Sequence, residues 1–353
     1  MPAVSEPRIM GVLRKGWHAQ LEDYVVAGGW ASEGERLLVA DATGTLTAFA
    51  GKSGELVWAH PAAHGGGGMF ALEVAPGGRT LATSGEEGSV ALWDAHSGAQ
   101  ARLLSLGNAW VEHLAWSPDG ALVAAAAGRH VYALDGDGEL LWTSAAHPST
   151  VSALAWTSGG DLVTACYGEV RFLSEDTGEE REEDRLSWQG SLLSLAVSPD
   201  GDVVACGSQD NTVHFWRRVS GEDSMMSGYP LKPAVIEFDR EGTLLATNGG
   251  QTVTVWSFAN GGPEGTAPGA HELHLAPVKA LSFAHRGLRL ASADNDGAVV
   301  VWSLQEDASG APIGMALASG RVEALHWRQD DRALAALDGS GGVHVWRIGE
   351  SSA

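Results

Sequence analysis

Short runs of β-branched and other apolar residues recur along the chain, each ending in an aromatic residue or Leu. They end at Phe49, Trp93, Leu134, Leu173, Trp216, Trp256, Trp302 and Trp346. Seven steps separate position 49 from position 346, an average of about 42 residues. A second series lies upstream, at Trp30, Val74, Trp116, Trp156, Val197, Phe238, Phe283 and Trp327. Five of the eight pairs (30–49, 74–93, 197–216, 283–302, 327–346) keep a spacing of 19 residues, and the rest 17 or 18. Random apolar clustering does not hold such a register, so the chain is an array of short strands.

Each unit reads as apolar strand, tight turn, apolar strand, polar turn, third strand and Gly-containing turn. Ser-Pro-Asp-Gly stands at Ser117–Gly120 and Ser198–Gly201, with Ala-Pro-Gly-Gly at Ala75–Gly78. Pro supplies a fixed φ and Gly a positive one, as tight strand connections demand. Long helical periodicity is absent. The length admits two domains, but the repeat period is that of one four-stranded propeller blade, and a single all-β domain over 1–353 is expected. Eight units are countable. The last stops at Trp346 without a fourth, outer strand, and the segment 8–14 (RIMGVLR) is expected to supply it, closing the ring and removing open sheet edges. Residues 348–353 are then a short tail. Seven blades remain the alternative, if one unit is spurious.

These features resemble the WD40-repeat family over about Tyr24–Arg347. The best copies are Leu195–Arg217, with its SPDG turn, GSQDNTV and Trp216, and Val278–Trp302. The Trp-Asp dipeptide itself occurs at Trp93–Asp94. The resemblance implies an eight-bladed WD40-like β-propeller. It also implies a hydrogen-bonded structural tetrad in one blade, at His274, Ser292, Asp296 and Trp302. Other repeats keep fragments, Asp210 with Trp216 and Thr83 with Trp93. His147 takes the aligned loop position of unit four, which is read as lacking the Ser/Thr and Asp. A weaker likeness, at Ala48–Trp58 and Ala133–Trp142, is to pyrroloquinoline-quinone-type propellers, where the Trp docks between blades. It raises a propeller enzyme or cofactor-dependent subunit, quinoprotein-like or metal-dependent, as the alternative function.

Charge narrows the partners. Lys plus Arg number 22 against 44 Asp plus Glu, a formal net charge of −22. Such a chain repels polyanions, so nucleic acid is not an expected partner. With Lys only at positions 15, 52, 232 and 279 there is no polybasic membrane patch. The longest apolar run, Ala121–Ala127, is far below the roughly 20 residues of a membrane span. Met1–Lys15 lacks the apolar core of a secretory signal, and two cysteines, Cys166 and Cys206, make no disulfide framework. A cytoplasmic location is expected.

Candidate chemistry is sparse. Gly51-Lys-Ser53 lacks the earlier Gly of a phosphate loop, since position 46 is Leu. Gly65–Gly68 reads as a flexible connection. His271-Glu-Leu-His274 could place two imidazoles near a metal, but a protease motif needs two residues between Glu and the second His. Cys166 and Cys206 fall in strands and read as small apolar groups. No nucleophile elbow is present. The expectation is no enzyme, no cofactor and no metal. The run Glu175–Asp184 holds seven carboxylates in ten residues and reads as a charged, solvated turn and edge, with a landing site for a basic surface as the sharper alternative.

The remaining candidate is the mouth of the channel. Side chains alternate along a strand, so the residues flanking the apolar residue that opens each innermost strand point toward the mouth. In WD40 proteins that read peptides, such positions supply recognition. By alignment they include Tyr24, Phe70 and Trp110 on three successive blades, with Glu112. Lys232, Lys279 and Arg321 lie on three others, with Glu323. Aromatic and basic residues are enriched at binding hot spots. The expected function is a non-catalytic interaction platform that binds a protein or peptide. The bound segment is expected to carry an apolar or aromatic anchor and an acidic group. The sequence leaves the oligomeric state open.

Overall fold

The computed structural model describes residues 9–181 and 184–349. They build eight four-stranded antiparallel blades. The innermost strands are Val25–Ala31, Met69–Val74, Val111–Trp116, Ala153–Trp156, Leu186–Val197, Ile236–Phe238, Val278–Phe283 and Val322–Trp327. Leu186–Val197 does double duty as one twelve-residue strand. Its first part pairs with Tyr167–Leu173 as the outer edge of blade four, and its second part opens blade five.

Second strands such as Leu122–Ala127 and Ala333–Asp338 are buried at every position. Both of their faces meet a neighbouring blade, so they read as continuous small apolar runs rather than alternations. Outer strands alternate, as in Gln100–Ser105. The core is divided among eight clusters, each at a seam between two adjacent blades. One of them joins Val25, Trp30, Leu37 and Val39 of blade one to Leu337, Val343 and Val345 of blade eight, so the ring is closed. Fully burying one Leu or Val at such a seam contributes about 1.5–3 kcal/mol.

The second aromatic series has a hydrogen-bonding reason. Four of its indoles donate to a carbonyl on the inner strand of the preceding blade: Trp30 to His326, Trp116 to Glu73, Trp156 to Ala115 and Trp327 to Ser282, at 2.9–3.1 Å. The SPDG turns are braced by their Ser. Ser117 Oγ accepts from Leu122 N at 2.9 Å and donates to Asp119, and Ser198 repeats the pattern with Val203 and Asp200.

Ring closure is N-terminal, but the strand lies further along than segment 8–14. Leu13–Gln20 is the outer strand of blade eight and pairs with Gly342–Ile348 in register from Leu13↔Ile348 to Gln20↔Gly342. Only Leu13 and Arg14 of the expected segment belong to it, and Arg8 lies outside the described residues. Met10–Gly11 instead adds a fifth strand to blade seven. Ile9, Val12 and Leu13 pack into the seam between blades seven and eight. The apolar residues of 8–14 are therefore seam filler. The closing strand is the polar, alternating WHAQ stretch, where an apolar search does not look. Gly11 is required at the crossing, because its φ is +69° and a Cβ there would sit 2.0 Å from the Ile313 carbonyl oxygen. The tail begins later than position 348: Ile348 still pairs with Leu13, Gly349 N donates to Val12 O, and 350–353 lie outside the described residues.

Candidate partner-binding surface at the channel mouth

The apolar residue opening each inner strand is buried: Val25, Met69, Val111, Val151, Leu192, Val278 and Val322 are at most 4% exposed. In six blades the register shifts immediately after it, between Val25/Ala27, Met69/Ala71, Val111/His113, Leu192/Ser194, Val278/Ala280 and Val322/Ala324. The residue inside each shift is the extra one of a β-bulge, unpaired and re-aimed. Phe70, Glu112, Lys279 and Glu323 are four of these six residues. A recurrent register shift at the start of the inner strand, not simple alternation, sets the direction of these four side chains.

Tyr24 and Trp110 are 51% and 56% exposed. Phe70 is half-buried, and its ring meets that of Trp110 with centroids 5.3 Å apart. The structure thus pairs two of the three aromatics, on blades two and three, with Tyr24 exposed on the neighbouring blade. Tyr167 was not among the sequence candidates because it opens a third strand, outside the flanking positions. It is 61% exposed and lines an open hollow of about 400 Å³ with Glu112, His113, Thr150 and Ser191.

The three cations are not equivalent. Glu323 accepts from Arg321 Nε at 2.5 Å and lies 4.0 Å from Lys279 Nζ. Among the described residues Lys232 makes no ion pair and is exposed. One bulged carboxylate therefore screens two of the three charges. The mouth offers much less positive field than the residue types alone imply.

The structural tetrad needs one correction. His274 Nε2 meets Ser292 Oγ at 2.7 Å, and Trp302 Nε1 donates to the same oxygen at 2.8 Å. The carboxylate on His274 Nδ1 is Asp294, at 3.0 Å, not Asp296. Asp296 is exposed in the turn and contributes only its N–H, to Asp294 Oδ1. Asp294 ends its strand, so its carboxylate folds back under the turn to reach the imidazole and the N–H groups of residues 296 and 298. Burial opposes its charge, but the hydrogen bond from His274 and those backbone donors hold its carboxyl below the usual range.

Two more blades carry related networks. His64 bridges Thr83 Oγ1 at 2.9 Å and Glu87 at 2.6 Å, while Trp93 Nε1 donates to Thr83. Here Glu replaces Asp. His274 precedes its inner-strand anchor Val278 by four residues, but His64 precedes Met69 by five, and that one-residue offset in the Gly65–Gly68 connection hid it. His147 Nε2 meets Thr164 Oγ1 at 2.9 Å, so unit four does have its hydroxyl partner. Burial, with Arg171 nearby, pushes His147 down to about 4. Asp210 accepts from Thr212 Oγ1 rather than from Trp216.

The other candidates have local tasks. His271 Nε2 faces the Ala308 carbonyl at 3.1 Å, and its ring is tilted against that of Trp302 with centroids 5.2 Å apart. Among the described residues no three His, Cys, Asp or Glu side chains gather as a metal group. Cys166 and Cys206 are buried, which pushes both thiols up and away from the reactive thiolate. The acidic run is partly compensated. Glu180 pairs with Arg185 at 2.5 Å and Arg171 at 3.5 Å, Arg181 with Asp161 at 2.9 Å, and Asp184 with Arg218 at 3.4 Å. Glu182 and Glu183 lie outside the described residues.

The Trp residues of the quinoprotein-like motifs dock between blades. Trp58 Nε1 donates to the His96 carbonyl and Trp142 Nε1 to that of Glu175, at 3.2 and 2.6 Å. Gly98 and Gly178 lie against their indoles, and at either a Cβ would come within 2.7 Å of the ring.

A closed ring of four-stranded blades around a channel, with a bulged and side-chain-bearing mouth, is a β-propeller. The profile "WD domain, G-beta repeat" matches residues 185–217 and 269–303. That of "Outer membrane protein assembly factor BamB" matches 42–194, the stretch that contains the Trp58 and Trp142 docks. The fold is that of a β-propeller, and two of its repeats are similar to the WD40 repeat. It is 26% identical over 247 residues to Actin-interacting protein 1 of Caenorhabditis elegans, covering 67% of this chain and 39% of that protein. It is 29% identical over 182 residues to the Probable cytosolic iron-sulfur protein assembly protein 1 of Mycosarcoma maydis, covering 46% and 37%. The chain thus spans about two fifths of the length of these relatives. Among solved structures, the computationally designed Ika8 protein superposes with a TM-score of 0.77 at 21% identity, over 93% of this chain and 98% of that one. A chain of the Mitotic Checkpoint Complex gives 0.64 at 16%, over 99% and 97%. No helix among the described residues is long and apolar enough to cross a membrane.

Proposed function

We propose that the protein is a non-catalytic interaction platform, a scaffold or accessory subunit in the cytoplasm, which binds a protein or peptide partner at the channel mouth. The observation that carries this reading is the rim itself. Trp110 and Tyr24 stand more than half exposed on a rigid ring, where large aromatics bury much area at low entropy cost and dominate binding energy. Relatives whose names tie them to actin and to iron-sulfur protein assembly support the platform reading. The unpaired, buried cysteines support a reducing compartment.

Purification of the tagged chain from its native host separates this reading from a cofactor-dependent enzyme. The platform reading expects stoichiometric co-purifying polypeptide and a protein absorbance spectrum free of cofactor bands. A chromophoric quinone or a stoichiometric metal, without any polypeptide partner, would overturn it.

A further inference from the structure

The mouth has two electrostatically distinct halves. On the side of blades seven and eight, Glu323 engages both Lys279 and Arg321. On the side of blades two to four, the aromatics are accompanied by carboxylates that no cation meets. Glu112, two residues from Trp110, forms no hydrogen bond or ion pair among the described residues and faces the hollow lined by Tyr167. Glu86 is exposed, with its side chain against Gly67 and Gly68, just before Phe70. The blades that carry the Phe70–Trp110 pair therefore also carry two carboxylates, Glu86 and Glu112, whose side chains meet no cation among the described residues, on a chain whose net charge is −22.

We infer that this half of the mouth receives an arginine or lysine side chain, carried on an extended segment of the protein partner. The inference rests on the mouth being the working surface and reverses the acidic partner expected from the sequence. An aromatic face attracts a cation through its quadrupole, and a nearby carboxylate can accept the charge-assisted hydrogen bonds of a guanidinium. The hollow of about 400 Å³ beside Glu112 gives the side chain room to enter. The long-range field of the protein steers the same sign of partner.

The probes are three labelled peptides of the same extended sequence, carrying arginine, citrulline or glutamate at alternate positions, titrated by fluorescence polarisation. The arginine peptide should bind best, and added salt should weaken it. Trp110→Ala and Glu112→Gln should each weaken it roughly tenfold, while Lys232→Glu should strengthen it. Trp110 is exposed and Glu112 half-buried, and unchanged melting curves confirm folded variants. If the glutamate peptide binds best and Trp110→Ala abolishes that binding, the cation assignment fails and the mouth survives. If the arginine peptide binds but ignores both Trp110→Ala and Glu112→Gln, the assignment fails and the mouth reading fails with it. Failure of all three peptides to bind also overturns the assignment.

Discussion

Trp30 donates its indole N–H to the main-chain carbonyl of His326 at 3.0 Å, joining the first complete blade to the last across 296 residues of sequence. Trp116, Trp156 and Trp327 make the same bond across three other seams. Trp30→Phe keeps most of the ring but removes the donor and leaves a carbonyl unpaired. It should cost about 1 kcal/mol of stability in urea titration, and Trp30→Ala about 3–5 kcal/mol through the cavity as well. An unchanged midpoint in Trp30→Phe would remove the bond from the account of closure.

Closure itself rests on Leu13–Gln20. Deleting residues 1–20 should unpair Gly342–Ile348, expose a strand edge and open the seam built on Val12 and Leu13. The truncated chain should aggregate or melt well below the parent in differential scanning calorimetry. A parent-like melt would contradict the closure described.

Three buried histidines hold hydroxyl partners, so His64→Ala, His147→Ala and His274→Ala should each cost about 1–3 kcal/mol. His147 belongs in this set because Thr164 supplies the hydroxyl that unit four was read as lacking. The sharper comparison lies between two aspartates of one turn. Asp294→Ala should destabilise by a similar amount, and the exposed Asp296→Ala by no more than about 0.5 kcal/mol. Equal losses at the two would contradict the corrected network.

The repeat was legible because aromatic strand ends recur at nearly fixed spacing, with Pro- and Gly-containing turns between the strands. The tetrad carboxylate was misplaced by two residues because alignment cannot tell which turn Asp folds inward. A local signal existed: Asp41, Asp294 and Asp338 each end a strand and precede Gly by three residues, and each accepts backbone N–H groups two and four residues on. The electrostatics of the rim were not legible. The partner of Lys279 is a bulged Glu323 on the next blade, 44 residues away, and only the fold brings them together.

The same carboxylates predict an acid response. Burial disfavours the charged form of Asp338, but donors from Ser340, Gly342 and His344 outweigh it and hold its carboxyl at about 2. Asp294 is lowered as well. Unfolded aspartate titrates near 3.9. A depressed folded value adds stability that is present above the unfolded value and lost as pH falls through the folded one. The stability gap between the wild type and the variant Asp294→Asn/Asp338→Asn should therefore hold near neutrality and shrink from about pH 4 toward pH 2. A gap independent of pH would contradict these shifts.

Binding of the partner at the channel mouth is tested most directly by the affinity of the partner recovered from the host, measured by calorimetry. Trp110→Ala should weaken it by about 2 kcal/mol or more, roughly thirtyfold, without shifting the melting temperature. Converting Glu179, Glu180, Glu182 and Glu183 to Gln should leave the affinity unchanged, although losing the Glu180 pairs with Arg171 and Arg185 will lower stability somewhat. Full affinity in Trp110→Ala together with lost binding in the four-Gln variant would place the working surface on the outer edge of blade four and contradict the account.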